Sequence, residues 1–124
     1  MTKRAVIIAG HGSRLAGFQK TMEQVARELR RDSRYPIVTC AYLEISAPSI
    51  AVAIERSVQK GADEIRILPY FLLMGNHVKT DIPRLAALER KKYKRRVKIV
   101  ICPYLGYHKN LLAVVKDRLK ETVK

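Results

Sequence analysis

Arg4-Ala5-Val6-Ile7-Ile8-Ala9, running directly into Gly10-His11-Gly12, is the stretch on which the fold turns. Its apolar residues are β-branched or small and show no polar alternation, the composition of a strand covered on both faces, and the glycines end it at a tight turn. Such a strand needs helices on either side, and the next segment supplies one. From Phe18 the apolar residues fall at Met22, Val25, Ala26 and Leu29, along one helical face, with Lys20, Glu23, Arg27, Arg30 and Arg31 around the rest.

The alternation continues to the end of the chain. Tyr35-Pro36 breaks the first helix, and Ile37 to Leu43 is a second apolar run of strand length. Ser46-Ala47-Pro48 is a helix-start signal, a capping hydroxyl with a proline near the first turn, followed by Ile50, Ile54 and Val58 and closed at Lys60-Gly61. Glu64 to Tyr70 reads as the third strand, and Phe71 to Thr80 as an apolar loop carrying Gly75 and His77. A third helix is expected from about Asp81, with Pro83 in its first turn, and Val97 to Cys102 is the fourth strand. Leu111, Leu112, Val115 and Leu119 mark the inner face of a last helix.

Strands alternating with helices predict a parallel α/β sheet, because each right-handed crossover returns the chain in the same direction. The expectation is one three-layer domain over residues 1–124, with a four-stranded parallel sheet in the flavodoxin-like order 2-1-3-4. In that order the connections leaving strands one and three diverge to opposite faces and open a ligand crevice between them.

Composition narrows the function classes. The 124 residues are 48% hydrophobic, enough for one core and too few for two domains. No run approaches the roughly 20 apolar residues that cross a bilayer, and Met1 to Ala9 lacks the parts of a signal peptide, so no membrane partner and a cytoplasmic address are expected. Cys40 and Cys102 sit inside strand-like runs without CxxC spacing and read as buried, reduced thiols. Twenty-five Lys and Arg against 11 Asp and Glu leave a net charge of +14 and imply an anionic partner, either nucleic acid or a polycarboxylate metabolite. Seven of the basic residues crowd into Arg90 to Lys98, where a solvated helix end explains them equally well.

The three histidines lie in the segments leaving strands one, three and four, and Glu44 follows strand two, so a parallel sheet delivers all four to its carboxyl edge. His11 and His77 flank the predicted switch point. Two neutral imidazoles suit cobalt, nickel, iron or zinc, and a nearby carboxylate can complete the coordination or accept protons. The set contains no thiolate, which suits a site that holds its metal weakly and hands it on. For each histidine alone the competing role is a turn residue bonded to backbone, and for His108 a helix-start role is favoured.

Gly10-His11-Gly12-Ser13-Arg14, and Pro69-Tyr70-Phe71-Leu72-Leu73-Met74-Gly75-Asn76-His77 followed by Asp81-Ile82-Pro83, resemble the two signatures of the short class II tetrapyrrole chelatases, the sirohydrochlorin cobaltochelatase family. Glu44 ahead of Pro48-Ser49 and the Leu105-Gly106-Tyr107-His108 segment extend the likeness over essentially the whole chain. The resemblance implies insertion of a divalent metal, Co2+ foremost and Ni2+ or Fe2+ as alternatives, into sirohydrochlorin with release of two protons. The metal is then a substrate, and no organic cofactor is expected. It further implies that His11 and His77 bind the metal, that Glu44 shares their cavity, and that the chain forms a homodimer, since longer relatives carry two such domains.

Ser13 and Arg14 are candidates for holding a substrate carboxylate, against helix capping for the first and plain solvation for the second. Phe71, Leu72, Leu73, Met74 and Gly75 are candidates for contact with the macrocycle, against core packing or dimer contact. Two rival readings account for less. A nucleic-acid-binding domain explains the charge and leaves the histidines unexplained, and with 6% aromatics the chain is poor in stacking residues. A histidine phosphatase needs an arginine before the histidine, where this chain has Gly10.

Overall fold

The structure, a computed structural model, describes residues 2–123, with every side chain among them except that of His77. Four strands and four helices alternate: β1 (Arg4–Gly10), α1 (Ala16–Leu29), β2 (Ile37–Tyr42), α2 (Ile50–Gln59), β3 (Glu64–Pro69), α3 (Asn76–Tyr93), β4 (Lys98–Ile101) and α4 (Lys109–Leu119), with a 3-10 turn at Lys94–Arg96. All pairings are parallel and the order is β2-β1-β3-β4, as expected. The register sets Gly10 opposite Tyr42 and Ala9 opposite Pro69, so the strands that carry the candidate site end side by side.

Two cores sandwich the sheet, because alternate strand residues point to opposite faces. On one face Ile7, Ile65, Ile67 and Ile99 pack with Ile50 and Ile54 of α2 and Ile82 and Ala86 of α3. On the other, Val6, Ile8, Val38, Cys40 and Tyr42 pack with Met22 and Ala26 of α1. Gly10 fits closely in this second layer: a Cβ there would lie 2.7 Å from Met22 Sδ, and that side chain would have to shift. Burial pushes the Cys40 thiol up to about 12, which leaves it an inert packing residue.

Three expectations need correction. The third helix begins at Asn76 rather than near Asp81, so His77 belongs to its first turn; Lys79 N–H already bonds the Gly75 carbonyl at 3.0 Å. Pro83 lies in mid-helix on an exposed position, where its ring is tolerated, and does not mark the start. The second helix is capped by Ser49, whose hydroxyl accepts from Val52 N–H at 3.2 Å; the hydroxyl of Ser46 has another partner. Finally, α4 has no buried residue. Leu112, Val115 and Leu119 are 43%, 52% and 76% exposed, so the stripe read as an inner face meets no core of its own chain.

Candidate functional site at the carboxyl edge

The β1–β2 ladder continues past both strands. Leu43 N–H donates to the Gly10 carbonyl and Glu44 N–H to the His11 carbonyl, each at 3.0 Å. These bonds hold the segments of His11 and Glu44 side by side just past the strand ends, and their side chains meet: His11 Nε2 lies 2.7 Å from Glu44 Oε1. Both groups remain open to solvent, at 44% and 56% exposure, so the pair is accessible to a ligand. With the hydrogen on Nε2 and directed at Glu44, the neutral ring carries its lone pair on Nδ1; in the other tautomer the hydrogen sits on Nδ1 and the Nε2 lone pair faces Glu44, which then holds the shared proton.

The backbone around this pair is tightly packed. Gly12 has φ +111°, and a Cβ there would fall 1.8 Å from the Glu44 carbonyl oxygen. Ser46 then locks the two loops: its hydroxyl donates to the Ser13 carbonyl at 3.0 Å and accepts from Ser13 N–H at 3.1 Å. The Ser13 hydroxyl accepts from Leu15 N–H at 3.0 Å, a turn ahead of α1, whose N-cap position is Leu15. Ser13 is thus committed to loop geometry, and Arg14 is exposed. Sequence reading missed Ser46 as a latch, since a serine two residues before proline carries the same signal as a helix cap.

The loop after β3 leaves beside β1, with Tyr70 N–H bonding the Ala9 carbonyl at 2.8 Å. His77 lies in the first turn of α3, which follows β3, the strand next to that of His11; its side chain lies outside the described residues. The run Phe71 to Met74 divides. Phe71 and Met74 pack on the core beneath α2 and α3, whereas Leu72 and Leu73 are 58% and 86% exposed. Gly75 occupies the N-cap position of α3. His108 caps α4, its Nδ1 accepting from Asn110 N–H at 3.1 Å, the helix-start role that its position suggested.

Residues 5–122 match the model of the CbiX family. The chain belongs to that family. This CbiX-family chain is 37% identical over 115 residues to the chloroplastic sirohydrochlorin ferrochelatase of Arabidopsis thaliana, covering 93% of itself and 51% of that protein. To the sirohydrochlorin cobaltochelatase of Sulfolobus acidocaldarius it is 29% identical over 118 residues, covering 95% of itself and 91% of the relative. Among solved structures, the sirohydrochlorin chelatase SirB of Bacillus subtilis in complex with cobalt superposes with a TM-score of 0.86 at 28% identity, over 96% of this chain and 50% of that one. The chain therefore spans about half the length of the plant and Bacillus relatives and nearly all of the Sulfolobus one.

Proposed function

We propose that this protein is a sirohydrochlorin chelatase that inserts a divalent metal, Co2+ first and Fe2+ second, into the macrocycle with loss of two pyrrole protons. The observation that carries the reading is the His11–Glu44 contact at 2.7 Å at the carboxyl edge of the sheet, a metal-competent imidazole already bonded to a proton-accepting carboxylate. His11 and His77 hold the incoming ion through nitrogen, which suits borderline metals, and the lack of thiolate ligands lets it leave. As the ring nitrogens take the metal, their protons pass to the pair. Glu44 accepts one, and the His11 ring accepts the other once its lone pair is free of the ion, so charge is conserved as the dication enters the ring. The net charge of +14 draws in the substrate carboxylates, and Arg14, exposed three residues after His11, is available to bind one.

Two further parts of the proposal concern assembly and place. Two copies pair to supply the half that the longer relatives carry in one chain, an isologous arrangement. Among the described residues no helix is long and apolar enough to cross a membrane, which accords with work in the cytoplasm.

The test is an anaerobic absorbance assay with purified protein, sirohydrochlorin and, in turn, Co2+, Ni2+ and Fe2+. Insertion should outrun the protein-free control, and His11→Ala, His77→Ala and Glu44→Gln should each slow it by on the order of 10²-fold or more. No acceleration with any metal overturns the proposal.

A further inference from the structure

The charge of this chain is polarised along its strands. The segments that leave the carboxyl ends of the strands and carry the candidate site, residues 10–16, 43–49, 70–81 and 102–109, hold three Lys and Arg against two Asp and Glu. The segments at the amino ends, residues 2–4, 27–36, 55–64 and 89–98, hold fifteen against six. Steering of an anionic substrate is an effect of the whole net charge. It does not require cations to crowd at the pole away from the site.

The densest part is the end of α3 and the turn after it. Arg90, Lys91, Lys92, Lys94, Arg95, Arg96 and Lys98 are all exposed, and none forms an ion pair among the described residues. The chain fixes their arrangement. Tyr93 is buried, and Lys92 Nζ and Arg96 Cζ lie 5.6 Å and 5.8 Å from the centroid of its ring. Lys94 stands at φ +53°, a conformation that glycine takes without strain, and opens an exposed 3-10 turn of three successive cations, Lys94 to Arg96. A merely solvated helix end needs neither the ring beneath two of its cations nor a lysine where glycine fits. The turn borders a shallow cavity of about 490 Å³, and across the same edge Lys3, Arg4 and Arg34 line another of about 380 Å³. Nearby carboxylates are already engaged: Asp32 by Arg34, Asp63 by the Lys3 backbone N–H, and Glu64 by Arg4 and Arg66.

We propose that this amino pole is a docking surface for the phosphate backbone of a double-stranded nucleic acid, bound without regard to sequence. Three observations select that occupant. The row of four strand starts spans about 14 Å, enough to reach phosphates on both rims of a major groove about 12 Å wide. Among the described residues no exposed large hydrophobic side chain falls in the four amino-pole segments, so the surface has no apolar anchor for a membrane. Tyr93 is buried and Tyr35 is half-buried with the Arg34 guanidinium over its ring, so neither offers a free face on which unpaired bases stack. Charge and forked guanidinium donors remain, the chemistry that reads phosphate. Docking there is independent of the chelatase chemistry, whose site lies at the other pole and stays open in the complex.

The test is fluorescence anisotropy across a salt series with a labelled duplex of two helical turns, prepared as RNA and as DNA in two unrelated sequences, and with its single strand. Co-sedimentation with vesicles of equal parts phosphatidylserine and phosphatidylcholine is the membrane arm. Either duplex should bind with a Kd on the order of 10⁻⁶–10⁻⁴ M at physiological salt, alike for both sequences, and log affinity should fall linearly with log salt. The triple variant Lys94→Gln, Arg95→Gln, Arg96→Gln should flatten that slope by about 2.7, and the double variant Lys91→Gln, Lys98→Gln, which leaves the turn intact, by about 1.8, at about 0.9 for each lost phosphate contact. Lys116→Gln, Arg118→Gln, Lys120→Gln removes three charges from α4 and should leave the slope nearly unchanged. Melting curves check that each variant is folded. No duplex binding at low salt, an equal loss in the turn and α4 variants, tighter binding of the single strand, or capture by vesicles without duplex binding each overturns the proposal.

Discussion

Gly12→Ala tests whether backbone crowding sets the catalytic geometry. A methyl carbon at position 12 would lie 1.8 Å from the Glu44 carbonyl oxygen and 2.9 Å from its carbon, and both partners are backbone, with no flexible end to swing aside. Carbon and oxygen rest at about 3.3 Å, so the two loops must part by about 1.5 Å. The φ of +111° adds strain for any residue with a side chain, of order 1–3 kcal/mol. Parting the loops also weakens the Glu44–His11 backbone bond and the Ser13–Ser46 lock, each worth about 1 kcal/mol. Together these predict a loss of about 2–4 kcal/mol, or a melting point lower by roughly 8–16 °C for a chain of this size.

Activity should fall further than stability implies. A displacement of about 1 Å between reacting groups costs on the order of 10²-fold in rate, and here His11 moves away from Glu44. Thermal melts and the metal-insertion assay are run together, with Gly17→Ala as control. A Cβ at Gly17 meets nothing within 4 Å and the residue is helical, so that variant should keep its rate and gain up to about 1 kcal/mol. A Gly12→Ala protein with wild-type melting and rate refutes the reasoning, as does an equal response at the two glycines.

Ser46→Ala should cost about 1–2 kcal/mol, from two part-buried hydrogen bonds to Ser13, and slow insertion less than Gly12→Ala does; melting and initial rates check both. Glu64, bonded by Arg66 at 2.7 Å and Arg4 at 3.0 Å, has its carboxyl held below the usual range, chiefly by the Arg66 hydrogen bond. Its folded pKa is depressed, so its contribution is present above the unfolded value and lost as pH falls through the folded one. Melting points followed down through the carboxylate range should therefore drop less steeply in Glu64→Gln than in the native chain, and parallel curves would rule the contribution out.

Much of this structure was legible in residue patterns. Uninterrupted runs such as Val6-Ile7-Ile8 announced buried parallel strands, and alternation with helices then restricted the topology. Placement of His11 and Glu44 at neighbouring strand ends followed from that topology, but their 2.7 Å contact did not, because it depends on two bonds beyond the ladder and on Gly12. The start of α3 was misread because Pro83 carries the signal of a first turn, whereas an exposed mid-helix proline leaves the same trace. Ser46 was read as the cap of the second helix, and only the loop's path gives that role to Ser49. In α4 the apolar stripe was read as an inner face, yet periodicity is silent on whether the connection after β4 lets the helix reach its own sheet.

The Arg4–Glu64–Arg66 ion cluster begins the strands, whereas His11 and Glu44 follow their ends, about 20 Å away along β1. The ion cluster and the candidate chemistry are thus held at opposite poles of one sheet. An engineer can add charge networks or shorten loops at the first pole without touching the second, so hardening this scaffold against heat need not trade away turnover.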